Sequence, residues 1–120
     1  MQKLCENLVV FSRNDPEYSA ELTPGEKCIH GRPEQRTWNH FTSDDGRFFA
    51  GIWEGDPGCM RIDYTENEFC RLLQGKVILR DAQGAETTLG AGEEFVIPAG
   101  FSGEWETVEK VRKLYVIYQP

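Results

Sequence analysis

Histidine is almost missing from this chain: among 120 residues there are two, His30 and His40. A site needing three imidazoles cannot be built from them. Positive charge is scarce too, with 13 Lys and Arg against 20 Asp and Glu and a net charge of −7. A protein whose main task is neutralising phosphates is thereby excluded, and nucleic acid and anionic membranes are poor partners. No apolar run approaches the roughly 20 residues that cross a bilayer as a helix. The opening Met1 to Asn7 lacks the apolar core of a signal peptide, so the expected location is cytoplasmic. Cys5, Cys28, Cys59 and Cys70 form no C-x-x-C pair and are expected to be reduced thiols. Nowhere does a helical period persist, which removes helix-based architectures.

Aromatic residues, in contrast, are plentiful. Three Trp, seven Phe and four Tyr within a 39% hydrophobic composition can bury enough apolar area to fold. The length suits one domain. Residues 1–34 have weak periodicity; Leu8 to Phe11 could form a short strand, but Asn14-Asp15-Pro16 and Thr23-Pro24-Gly25 are breaks. This part is expected to be an extended arm lying on the main body or on a second subunit. From residue 35 to 120 the texture is that of short strands. Thr37 to Phe41 and Arg47 to Trp53 flank the Asp45-Gly46 turn. Met60 to Tyr64 alternates large apolar with charged residues, placing Met60, Ile62 and Tyr64 on one face. Glu68 to Leu73 and Lys76 to Arg80 read as a hairpin joined by Gln74-Gly75, and Glu86 to Leu89, Glu94 to Ile97, Gly103 to Val108 and Lys113 to Tyr118 complete an all-β sandwich or barrel.

Glu68 precedes Gly75 by seven residues, and Gly92, Pro98 and Gly100 recur at fixed spacing after it. This arrangement resembles the paired motifs of the cupins. The wording around it, Trp53-Glu54, Glu68-Phe69-Cys70, Leu73-Gln74-Gly75 and Phe95-Val96-Ile97-Pro98-Ala99-Gly100-Phe101, is similar to the small single-domain cupins grouped with ureidoglycine aminohydrolase and the ethanolamine-utilisation cupin. The resemblance implies an RmlC-like double-stranded β-helix, that is, a jelly-roll barrel, and a homodimer.

Cupin metal sites use three His and one Glu, a donor set suited to divalent transition metals. Here Ile62 and Tyr64 stand where the histidine pair belongs, because a strand slipped by one residue would bury Arg61 and Asp63 instead. Gly103 stands at the third histidine position. Of the four ligands Glu68 alone remains, so an apo barrel with no cofactor is expected; a non-standard metal site from Glu68, His40 and Tyr64 is the alternative. Glu68 and Tyr64 are the candidate acid/base pair, with Ile62, Cys70, Trp105 and His40 as candidate ligand-binding residues. Cys70 is read first as a small buried hydrophobe and only second as a nucleophile. A carboxylate among such neighbours would be desolvated, which favours its neutral form unless a cation pairs with it. The expected function is the binding, with or without transformation, of a small polar metabolite, by the resemblance a nitrogenous or carboxylic one; the competing expectation is a non-catalytic sensing or structural barrel filled by its own side chains.

Overall fold

The computed structural model describes residues 1–120 and is built almost wholly from antiparallel strands. In order they are β1 (Glu17–Leu22), β2 (Cys28–His30), β3 (Glu34–Thr42), β4 (Phe48–Gly55), β5 (Gly58–Asp63), β6 (Asn67–Asp81), β7 (Glu86–Gly90), β8 (Glu94–Ile97) and β9 (Ser102–Tyr118). No helix is long and apolar enough to cross a membrane. The sheet runs β1-β3-β4-β9-β5-β2, and β6 pairs with β7, β8 and β9.

The two long strands close the barrel. The first half of β9 pairs with β5 and with the second half of β6, and its second half pairs with β4 and with the first half of β6. Residues Glu68 to Arg80 therefore form no hairpin, contrary to the sequence reading. Both halves lie along β9 in one continuous strand, whose register breaks around Gln74 and Lys76. Gly75 marks the break, with φ +93 and a position where a Cβ would stand 2.2 Å from the Lys110 carbonyl oxygen. A glycine with positive φ serves a bulge as well as it serves a tight turn, and here it bends the strand.

Leu8 to Phe11 is not a strand either. Arg13 and Asn14 turn back by donating to the Val10 carbonyl, and the free edge of β3 is already taken by β1. Behind the arm, β2 pairs with β5 at the other end of the sheet. Ile62, Leu72, Val77, Leu89, Ile97, Trp105 and Val111 form the core. Beside Ile62 and Trp105 the lumen remains a cavity.

Candidate functional site

That cavity has a volume of about 760 Å³. Its wall includes Trp53 from β4, Met60 and Ile62 from β5, Tyr64 just beyond β5, Glu68 from β6, and Trp105, Lys113 and Tyr115 from β9. Strand parity explains the set. Met60 pairs with Trp105 across β5 and β9, Trp53 with Lys113 across β4 and β9, and Cys70 with Tyr115 across β6 and β9, so each pair shares a face.

Glu68 is buried and both its oxygens are engaged. The Tyr64 hydroxyl donates to Oε1 at 2.5 Å, and the Lys113 ammonium meets Oε2 at 3.0 Å. Lys113 is as deeply buried as its partner, with side-chain exposures of 6% and 5%. Its Nζ lies 4.8 Å from the Trp53 ring centre and 4.5 Å from that of Trp105. The two indoles meet edge to face at 5.7 Å and so form a corner around the ammonium. Burial by itself would lower the Lys113 pKa, but the Glu68 carboxylate, with Cys70 beside it, more than offsets burial and holds the group above its ordinary 10.5. Burial, and after it the Glu68 charge, push the Tyr64 hydroxyl well above 10.0.

Around this centre the other groups are kept protonated. The Cys70 thiol, fully buried and bordering Lys113 and Glu68, is pushed up to about 12, chiefly by burial. Tyr115 is likewise pushed to about 12 by burial and by Glu68, and its hydroxyl donates to Asn39 Oδ1 at 2.7 Å. That hydroxyl fits because position 51 is glycine: a Cβ there would stand 2.6 Å from it. Trp105 donates through Nε1 to Thr107 Oγ1 at 3.0 Å, which fixes the indole as cavity wall.

Of the residues selected from sequence, Glu68, Tyr64, Ile62 and Trp105 meet at the cavity. Cys70 lies behind its surface, against Lys113 and Glu68. His40 does not reach the cavity. Gln35, Thr37 and Asn39 line the cavity, so alternation along β3 sends the His40 imidazole to the outer face, just where the β3–β4 register slips between Asn39 and Phe41. It stacks on Phe11 with ring centres 4.2 Å apart, and its Nδ1 lies 2.5 Å from Asn14 Oδ1. Burial there lowers its pKa.

Lys113 was not selected from sequence, nor was Trp53 as a cavity residue. The signal for Lys113 lies in the alternation Lys113, Tyr115, Ile117, which shares one face of β9. Because that run is apolar on both faces and lysine is normally exposed, the alternation alone does not identify the inward face.

A cupin fold implies a transition metal held in the lumen. The donor chemistry present does not fit one: no histidine or cysteine lines the cavity, and the carboxylate at its base already carries an internal ammonium. The cation that Glu68 meets is the Lys113 ammonium.

Residues 42–115 match the family described as the EutQ-like cupin domain. Among solved structures, the chain is similar to the EutQ protein of Clostridium difficile at 20% identity, covering 72% of this chain and 64% of that one with a TM-score of 0.65. It is similar to a protein of unknown function from Pseudomonas syringae pv. tomato at 22% identity, covering 85% and 43%, with a TM-score of 0.75. A putative ethanolamine utilization protein from Salmonella typhimurium shares 21% identity over 88% of this chain and 98% of its own, with a TM-score of 0.65. The chain thus spans less than two thirds of the length of the first two. At these identities the structures speak for the fold, and no curated protein matches. With 74 consecutive residues matched, including Tyr64, Glu68, Trp105 and Lys113, the chain belongs to the family of EutQ-like cupin domains.

Proposed function

We propose that the lumen binds a small polar metabolite, a nitrogenous compound in preference to a carboxylic one, and that Glu68 is its proton-transfer group with Tyr64 as partner. The observation that carries this reading is the Tyr64–Glu68–Lys113 network at the wall of an open cavity. Charge supports the choice of ligand. Glu17, Glu21, Asp63, Glu66 and Glu68 line the cavity against Lys27, Arg61 and Lys113, and Lys113 is already neutralised by Glu68. A cationic amine entering this lining meets an excess of carboxylates.

The geometry suggests how a proton could move. A ligand N–H donating to Tyr64 Oη can pass its proton to the phenol while the phenol gives its own to Glu68 Oε1, so no phenolate forms. Lys113 holds the other carboxylate oxygen in place throughout. This is general acid–base chemistry by a positioned carboxylate.

One observation favours a second reading, a barrel that binds its ligand without transforming it: both Glu68 oxygens are satisfied internally. A thermal-shift screen with amines, ureides and carboxylic acids tests the proposal on the wild type and on Glu68→Gln. Shifts by amines or ureides that vanish in Glu68→Gln support it. If every shift survives that substitution, or only carboxylic acids shift the protein, the proposal fails. NMR of the positive mixtures then separates the readings, since consumption of the compound marks catalysis and its persistence marks sensing.

A further inference from the structure

The outer face of the barrel carries a second set of donors that the lumen reading leaves unused. His30, Cys59 and Glu106 each offer a ligand atom, and these atoms all lie within 4.8 Å of one another. They come from three adjacent strands. Cys59 of β5 pairs with Glu106 of β9 on one side and with His30 of β2 on the other. The β2–β5 register slips between Cys28 and His30, and this slip brings His30, rather than its neighbour, opposite Cys59. Directly opposed residues share a face of the sheet, so one imidazole, one thiol and one carboxylate stand in a row across the three strands. Because Met60 and Trp105 face the lumen, this row lies on the other side of β5 and β9.

We infer that His30, Cys59 and Glu106 form a binding site for a divalent transition metal, zinc being the best match, on the outside of the barrel. Nitrogen, sulfur and oxygen donors in a set of three suit zinc, which leaves a fourth position open or takes a further carboxylate. Glu104 can supply that carboxylate, since its Oε1 lies 3.7 Å from the Cys59 sulfur. Tetrahedral zinc bonds of roughly 2.0 to 2.3 Å place ligand atoms about 3.5 Å apart, so a set spread over as much as 4.8 Å must contract by about 1.3 Å at most. His30 has the freedom to do so, its side chain being 61% exposed.

The surroundings favour the ion. Arg80 Nη2 holds Glu106 Oε1 at 2.8 Å and leaves Oε2 turned towards His30 Nε2, 3.5 Å away. A partner that holds the carboxylate's other oxygen orients it as a ligand. Although Arg80 is a cation, it faces three carboxylates, those of Glu86, Glu104 and Glu106, which leaves the cluster net negative. Without metal, the Cys59 thiol is kept protonated, pushed up to about 11 by burial and by Glu104. Metal binding would release that proton to water as the thiolate forms.

The test is titration of the untagged protein with cobalt(II), and with zinc in competition. The expected result is uptake of one equivalent, with the near-ultraviolet charge-transfer band of a cobalt–thiolate bond. His30→Ala and Glu106→Gln are expected to weaken binding by at least about tenfold, given that losing even a hydrogen-bond partner of a ligand costs that much. Cys59→Ser is expected to abolish the band; should its buried substitution disturb folding, exposed His30 still decides. Three results would overturn the site: no stoichiometric uptake by the wild type, an unchanged affinity in His30→Ala, or metal lost from Glu68→Gln while His30→Ala keeps it.

Discussion

Met60 and Ile62 of β5 and Trp105 of β9 look into the lumen beside Glu68 and Lys113, whereas Cys59, Glu104 and Glu106 of the same two strands look outward to His30 and Arg80. On the inner face a single carboxylate is matched by a buried ammonium and a phenol. On the outer face three carboxylates share one guanidinium, with an imidazole and a thiol alongside. The inner charges are fixed by their desolvation, since neither can be left alone in a low-dielectric setting. The outer charges are held only loosely, because solvent screens them. One pair of strands thus presents a closed electrostatic network on one side and an open one on the other.

The largest test of this contrast removes the inner cation. Lys113→Met strands the Glu68 carboxylate and is expected to cost about 3–5 kcal/mol in urea denaturation, while the double variant Glu68→Leu/Lys113→Met should recover most of it. A loss below about 1 kcal/mol would mean that the pair behaves like a solvated one.

Next comes alkaline pH. The folded-state pKa values of Cys70, Tyr115, Tyr64 and Lys113 are all raised. Each contribution is therefore complete below the unfolded value and is lost as pH climbs through the folded one. Cys70 rises from 9.0 to about 12 and Tyr115 from 10.0 to about 12, so stability should stay level with respect to these groups up to pH 9 and fall steeply towards pH 12. Denaturant midpoints measured across that window check it, and a flat profile would contradict the burial assigned to these groups.

Smaller still is Tyr64→Phe, which removes the donor to Glu68 Oε1 and should cost about 1.5–3 kcal/mol, as for a hydrogen bond to a charged group. The smallest effect belongs to the outer face: metal-free His30→Ala should change stability by no more than about 0.5 kcal/mol. A larger loss by either thermal or urea unfolding would show that the outer cluster is a structural network like the inner one.

The inner face was legible in part, from residue alternation and from the family resemblance together. The alternation through Met60, Ile62 and Tyr64 fixed which side of β5 faces the lumen, while Glu68, seven residues before Gly75, was singled out by the resemblance to the cupin motifs. Trp105 followed from the second motif. Three features were not legible, each for a local reason. His40 is one residue out of phase with Thr37 and Asn39, which line the cavity, and the run Thr37 to Phe41 has no contrast of apolar and charged residues to tell which phase faces inward. Gly75 looks the same in sequence whether it turns a hairpin or bends a strand, and only its contact with the Lys110 carbonyl decides. Lys113 is a buried charge, and none of its near neighbours in sequence offsets the cost of burying it. The compensating groups, Glu68, Trp53 and Trp105, come from elsewhere in the chain or across a bulge. The outer row was hidden in the same way, since His30, Cys59 and Glu106 meet only through the slipped pairing of a three-residue strand.

The central claim is that the lumen carboxylate already has its cation. It is tested most directly by following the Lys113 ζ-nitrogen by ¹⁵N NMR as pH is raised, in the wild type and in Glu68→Gln. In the wild type the ammonium should remain charged past the ordinary 10.5, and without the Glu68 charge, burial should bring its titration below that value. A Lys113 that titrates at or below 10.5 in the wild type, or that does not respond to Glu68→Gln, would contradict the account.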